Sequence, residues 1–283
     1  MKLDGIGLGL RVAMADEFLE RLPEEVRFLE VHPENYIQRG GQYDDNLRRA
    51  REHYPIISHG LTLGFGTVMP YDDSFLAATA AFVQELGTPW HSDHLCFGGF
   101  DGRLVHDLLP VPFTEEAAAQ AAANFVKVRD TVDRELAFEN LSYYAPQSDD
   151  PLDEARFCVE VLERTDGKIL LDVNNVYVNS KNLGFDPKAW IDLIPKARVV
   201  QLHVAGHLTR DDGLRIDTHG EPVCDEVYQL LEYTLQRLGP RPVLLERDNN
   251  VPSVDELLAE VNVLNDIYVR ATTSPARNTA SMT

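Results

Sequence analysis

The sequence predicts a single α/β domain, a (β/α)8 TIM barrel, on three observations. Strand-like and helix-like segments alternate eight times along 283 residues, and about 250 residues is the usual length of such a barrel. The strand-like segments are continuous apolar runs, as expected when both faces of a parallel sheet are covered. The third to eighth runs end in histidine or carboxylate, and in a barrel the strand ends converge on one face.

The elements follow in order. Strand one is at 5–10, where Gly5, Gly7 and Gly9 lack the third glycine at a helix start that a phosphate fingerprint needs and so read as close packing. A helix spans 11–22, strand two 26–31 and a helix 44–53. Strand three is at 55–63, with a helix at 73–86 that stops at Gly87 before Pro89. Strand four, at 89–97, leads to an Ala-rich helix at 113–131. Strand five is at 135–141, and Asp150-Pro151 opens a helix at 151–164. Strand six is at 168–177, and Asp186-Pro187 opens a short helix at 187–193. Strand seven is at 197–205, with a helix at 222–238 closed by Gly239-Pro240. Strand eight is at 241–247, and a capping box of Ser253 with Glu256 starts the last helix at 254–270. The barrel domain is therefore 1–270, and the small, polar segment 271–283 reads as a disordered tail. The long loops 33–43, 97–112, 174–186 and 206–221 all follow strands, which marks one working face.

The net charge of −20, from 26 basic and 46 acidic residues, argues against a nucleic-acid partner, since phosphate binding is driven by Lys and Arg. It favours a cationic peptide or cofactor. Cys96, Cys158 and Cys224 are widely spaced and form no CxxC, so they read as buried thiols in a reducing compartment. The N-terminal segment has no signal-peptide pattern, and no run approaches the ~20 apolar residues of a membrane span. The expectation is a cytoplasmic protein with no membrane partner.

His59, His94 and Glu139 end strands three, four and five, and two imidazoles with one carboxylate suit Fe, Zn or Mn with positions left open. Asp172, His203 and Glu246 end strands six, seven and eight and can hold a second ion, with Glu139 bridging. Asp217 and His219 alternate on an extended segment, so both can reach one cation, and Asn175, three residues after Asp172, can complete a third set. Without cations this constellation would bury unpaired charge, which is very costly. Asp248 shares the face of Glu246 and is a candidate general base. His207, four residues past His203, is the second catalytic candidate. Glu30, Glu34 and Asn35 end strand two as candidate pocket residues, and Arg247 reads as a structural ion-pair partner.

The segments Gly7-Leu8-Gly9-Leu10-Arg11, Ser58-His59-Gly60, Ser92-Asp93-His94-Leu95, Glu139-Asn140, Leu171-Asp172-Val173-Asn174-Asn175-Val176-Tyr177, Gln201-Leu202-His203-Val204-Ala205-Gly206-His207, Ile216-Asp217-Thr218-His219 and Leu245-Glu246-Arg247-Asp248 together resemble the multinuclear non-haem iron-dependent oxidative enzymes. The resemblance implies a xylose-isomerase-like, endonuclease-IV-like TIM barrel with two or three irons. It also implies O2-dependent modification of a ribosomally made precursor peptide, commonly at cysteine, with a partner protein that presents the peptide in a heterodimer. It assigns His59, His94 and Glu139 to one iron, and Asp172, His203 and Glu246 with bridging Glu139 to a second. Asn175, Asp217 and His219 go to a third. The barrel logic is also similar to the trinuclear zinc endonuclease IV, but the position three past the strand-six aspartate is histidine there and Asn175 here. A sugar isomerase or epimerase leaves Asp217 and His219 unexplained. A metal-dependent peptide-binding protein without catalysis is the remaining alternative.

Overall fold

The computed structural model describes residues 3–100 and 103–273. Eight parallel strands close a barrel: β1 (Ile6–Gly9), β2 (Phe28–Val31), β3 (Ile56–His59), β4 (Trp90–His94), β5 (Glu135–Glu139), β6 (Lys168–Asp172), β7 (Val199–Ala205) and β8 (Val243–Glu246). Each strand pairs with its sequence neighbours, and β1 closes on β8 through Gly7 opposite Leu244. The helices α1 (Val12–Arg21), α2 (Gln42–Arg51), α3 (Asp73–Leu86), α4 (Glu115–Val132), α5 (Asp153–Thr165), α6 (Val173–Leu183), α7 (Pro187–Leu193), α8 (Asp225–Leu238) and α9 (Val254–Thr273) cover the outside.

The capping chemistry explains most boundaries. Asp72 and Thr114 cap α3 and α4 by accepting backbone N–H groups. Gly87 ends α3 at φ 69°, the left-handed conformation that glycine supplies most readily. Ser253 and Glu256 exchange hydrogen bonds at the start of α9, as the capping box requires. That helix runs on to Thr273, while the remainder of the segment read as a tail, 274–283, lies outside the described residues.

One expected element is corrected. Strand six stops at Asp172 rather than at 177, because the Asp172 side chain accepts the Asn175 N–H at 2.6 Å and so caps α6. Two antiparallel hairpins, Phe97–Phe100 with Arg103–Leu109 and Leu208–Thr209 with Arg215–Ile216, occupy segments read as plain loops.

Alternation along the strands positions the site. Phe28, Ile57, Trp90 and Leu244 form a buried apolar plug inside the barrel. Side chains recur on one face every second residue, so two positions onward come Glu30, His59, Ser92 and Glu246, all buried. Gly7 makes room for this packing: a Cβ there would lie 2.4–2.6 Å from the Phe28 ring.

Candidate metal centre

The strand ends bring imidazoles and carboxylates into one buried layer. Glu139, at the end of β5, sits between two groups. Its Oε2 is 3.0 Å from His59 Nε2 and 3.5 Å from His94 Nε2. Its Oε1 is 3.4 Å from His203 Nδ1, which is in turn 3.2 Å from Glu246 Oε2. His59, His94 and Glu139 can converge on one point, and Glu139, Asp172, His203 and Glu246 on another, their donor atoms lying within 4.8 Å of one another in each group.

The orientation of the rings is set from behind. His59 Nδ1 meets Ser92 Oγ at 2.8 Å, which turns Nε2 toward Glu139. His203 Nε2 lies 3.2 Å from Glu30 Oε2, a carboxylate–histidine pair that leaves Nδ1 for the centre. Glu30 thus lies beneath the centre, fully buried, instead of lining the pocket. Glu34 accepts from Leu61 N–H and Thr62 Oγ–H and holds the loop after β3. Arg247 pairs with Glu260 at 3.6 Å, on the side away from Glu246 as the alternation required.

The third region is built around His219, whose φ of 50° places a non-glycine residue in the left-handed region. Its N–H donates to Gly206 O and its carbonyl accepts from Asp248 N–H, so the backbone enforces the conformation. His219 Nε2 is 2.9 Å from Asp217 Oδ1, while Nδ1 is 3.1 Å from Asp248 Oδ2 and 3.5 Å from Glu246 Oε2. The structure therefore brings Asp217 to His219. The compact third group, however, is His219, Glu246 and Asp248. Asn175 lines the same cleft; its Nδ2 donates to Asn140 O at 3.0 Å and fixes the amide.

His207 reaches this region indirectly. Its Nδ1 is 2.9 Å from Asn174 Oδ1, and Asn174 Nδ2 donates to Asp217 Oδ1 at 2.8 Å. The His207 ring packs on Tyr177 at 5.3 Å, and burial pushes its pKa down. Asn174 and Arg11, which engages Asp248, were not singled out by residue type in the sequence; their partners lie 43 and 237 residues away.

The donor chemistry fits metal ions. Glu139 Oε2, Asp172 Oδ2, Asn175 Oδ1, His203 Nδ1, His219 Nε2 and Glu246 Oε2 are buried and make no hydrogen bond. They stand near one another without the alignment that a shared proton requires, and buried polar groups are normally paired. Electrostatics repeat the point. Burial, Glu139, Asp217 and Glu246 push Asp172 well above the usual carboxylate range. Against burial, His203 and His59 hold Glu139 well below it. Against burial, Glu139 and Glu30 push His59 up to about 9. The surrounding carboxylates favour the protonated forms of His59, His203 and His219, and a cation binding the same set would displace those protons.

Above the centre lies a cleft of about 610 Å³, with Leu61, Leu108, Leu109, Tyr144 and Gln147 in its walls and His59, His94, Glu139, Asn175, Asp217, His219 and Glu246 at its floor, while Asp172 and His203 lie outside its lining. Among the described residues, no helix is long and apolar enough to cross a membrane.

Fold and donor set together define a (β/α)8 barrel with a candidate multinuclear metal centre at the C-terminal ends of its strands. Residues 5–268 match the model of the family described as "RiPP precursor modification enzyme MbnB/TglH/ChrH", and the chain belongs to that family. It is 42% identical over 269 residues to a UPF0276 protein of Pseudomonas aeruginosa, covering 95% of this chain and 94% of that protein. It is 44% identical over 264 residues to a UPF0276 protein of Acinetobacter baylyi, covering 92% and 90%. Among solved structures, it resembles a xylose isomerase domain protein of Planctomyces limnophilus, with TM-score 0.60, 12% identity, and 97% and 100% of the two chains covered. A D-psicose 3-epimerase of Clostridium cellulolyticum gives TM-score 0.58 at 11% identity, with 94% and 96% covered. At those identities the likeness concerns the fold alone.

Proposed function

We propose that this chain is an O2-dependent multinuclear iron enzyme that modifies cysteine in a ribosomally made precursor peptide. In this reading it works in the cytoplasm, in a heterodimer with a partner that presents the peptide. The observation that carries the reading is the set of buried, unbonded donor atoms on Glu139, Asp172, Asn175, His203, His219 and Glu246, in a chain of the precursor-modification family.

His59, His94 and Glu139 hold one ion, and Asp172, His203 and Glu246 with bridging Glu139 a second. Asn175, Asp217 and His219 serve a third. Two or three irons, when bound, supply the redox chemistry and polarise a thiol ligand; ligand type alone does not separate Fe from Zn or Mn. The protein does the rest. Leu61, Leu108 and Leu109 give the cleft apolar walls that exclude water around a bound peptide. Asp248 is the proposed proton acceptor for the peptide. Arg11 and His219 keep it ionised against burial, so it is always in the accepting form, though at reduced basicity. His207 acts at one remove, fixing Asn174 and through it Asp217.

The test is anaerobic reconstitution with Fe(II), followed by O2 and a cysteine-containing precursor peptide encoded beside this chain's gene. Oxygen uptake with a peptide mass change is expected, and replacing the peptide cysteine by serine should abolish both. Peptide binding with neither change would make the chain a metal-dependent binding protein instead.

A further inference from the structure

Two residues past the glycine-rich first strand, just before α1, stands an arginine, Arg11. Arg11 is nearly buried, and its Nε donates to Asp248 Oδ1 at 2.7 Å while a terminal nitrogen approaches the same oxygen. The guanidinium occupies space that exists only because residue 9 is glycine: a Cβ on Gly9 would lie 2.7–2.9 Å from its three outer atoms. Gly9 is not in the left-handed region, so its missing side chain matters for space rather than for backbone conformation. The other carboxylate oxygen of Asp248, Oδ2, is 3.1 Å from His219 Nδ1.

Beside the proton-accepting role proposed above, Asp248 can serve the centre itself in two ways. Its carboxylate, His219 and Glu246 can offer three donor atoms within 4.8 Å of one another, a set able to take a cation directly. Alternatively it accepts from His219 Nδ1 and leaves Nε2 facing Asp217 at 2.9 Å. Arg11 decides between them. It brings two nitrogens to Oδ1 of Asp248, and that fixed positive charge weakens the carboxylate as a ligand for a second cation while leaving Oδ2 to His219.

We propose that Gly9 and Arg11 keep Asp248 out of the ion-binding set and make it the carboxylate that orients His219. Arg11 is a positioning residue, and together with Gly9 it sets the strength of the third ion position. The inference rests on the metal reading above and adds to it a control on ion number. Freeing Asp248 adds an anionic oxygen to His219 and Glu246. It also loosens the His219 ring, a change that typically weakens an ion 10–100-fold. The added anionic ligand acts directly on the ion and outweighs the lost orientation, so the third ion binds more tightly when Arg11 is displaced.

The experiment titrates the metal-free full chain with Co(II), read by visible d–d absorption and by metal retained after gel filtration. The variants are Gly9→Ala, which displaces the guanidinium without changing charge, and Arg11→Gln, which removes it, each alone and with Asp248→Asn. Both single variants should bind the third equivalent at least tenfold more tightly than wild type, and in Gly9→Ala, which keeps the charge, the first two should stay within threefold of it. With Asp248→Asn present, Gly9→Ala should have no effect, and the gain from Arg11→Gln should fall at least fivefold, its remainder being the charge that Arg11 also presents to Glu246 and Glu30. Arg11→Gln with and without Asp248→Asn carries the test if Gly9→Ala fails to fold, as circular dichroism would show. A third equivalent within threefold of wild type in the folded single variants, or a gain undiminished by Asp248→Asn, overturns the proposal while leaving the metal centre intact. Failure of wild type to take the first two equivalents overturns both.

Discussion

Asp172 caps a helix and, in the proposed centre, binds an ion, and a pair of substitutions can separate the two. Its Oδ1 caps α6 through the Asn175 N–H at 2.6 Å, and its Oδ2 is a buried oxygen without a hydrogen bond. Asp172→Asn keeps an oxygen for the cap and removes the charge. Asp172→Ala removes both, and losing a cap of this kind costs about 1 kcal/mol. In the metal-free protein the charge is a burden, because Asp172 is fully buried beside Glu139, Asp217 and Glu246. Asp172→Asn should therefore be at least as stable as wild type when metal-free, with Asp172→Ala about 1 kcal/mol below it. With metal the order changes. An ion that binds only the native state stabilises it by about 2.7 kcal/mol at 100-fold excess over Kd, so a 100-fold loss of affinity removes roughly that much. Both variants should lose this increment equally, since both lose the anionic ligand. The assay is urea unfolding with chelator and with saturating Fe(II) under anaerobic conditions. Equal metal-induced stabilisation in wild type and Asp172→Asn would refute the ligand role. Equal stability of the two variants without metal would refute the cap.

Two further outcomes follow from groups around the centre. Glu30→Gln leaves the His203 ring without its carboxylate partner at 3.2 Å, and should weaken the ion shared by Glu139, His203 and Glu246 by about 10–100-fold in a competition titration with a chelator. Glu154, in the first turn of α5 and buried, accepts from Trp190 Nε1–H at 3.0 Å, yet burial pushes its pKa up to about 8. The folded protein then holds a proton that the unfolded chain releases, so stability is full below the unfolded pKa of ~4.3 and is lost as pH rises toward 8. Wild type should lose about 4 kcal/mol relative to Glu154→Gln between pH 4.5 and pH 8. Parallel stability curves for the metal-free proteins would mean that Glu154 is ionised in the fold.

The barrel was readable because its strands carry a double signal. Most are apolar runs covered on both faces, and two candidate ligands sit two residues past a plug residue: His59 after Ile57 and Glu246 after Leu244. Where that signal and the chemistry diverge, the reading erred. Asp172-Val173-Asn174-Asn175-Val176-Tyr177 is rich in β-branched and aromatic residues, which reads as strand, but the aspartate caps the backbone and a helix begins. The hairpin Phe97–Phe100 with Arg103–Leu109 was hidden for the opposite reason: its first strand is only four residues long and half glycine, which resembles a loop until the strands pair.

The candidate donors that the fold brings together stand out one at a time, because a histidine or acid at a strand end is conspicuous in sequence. What holds them was not. Glu30 reaches His203 across 173 positions, and Arg11 reaches Asp248 across 237, separations at which sequence spacing carries no geometric information. Asn175 shows how the two kinds of residue combine. A carboxylate there would add another charge beside Asp172, which burial and three acidic neighbours already push toward its neutral form. The amide adds none. Its N–H satisfies Asp172, its Nδ2 satisfies Asn140 O, and its Oδ1 remains buried and free. A neutral oxygen held this firmly by its own backbone and amide is a weak but preorganised donor. It suits a third position whose strength is then set by the charge on His219's other neighbours, Asp217 and Asp248.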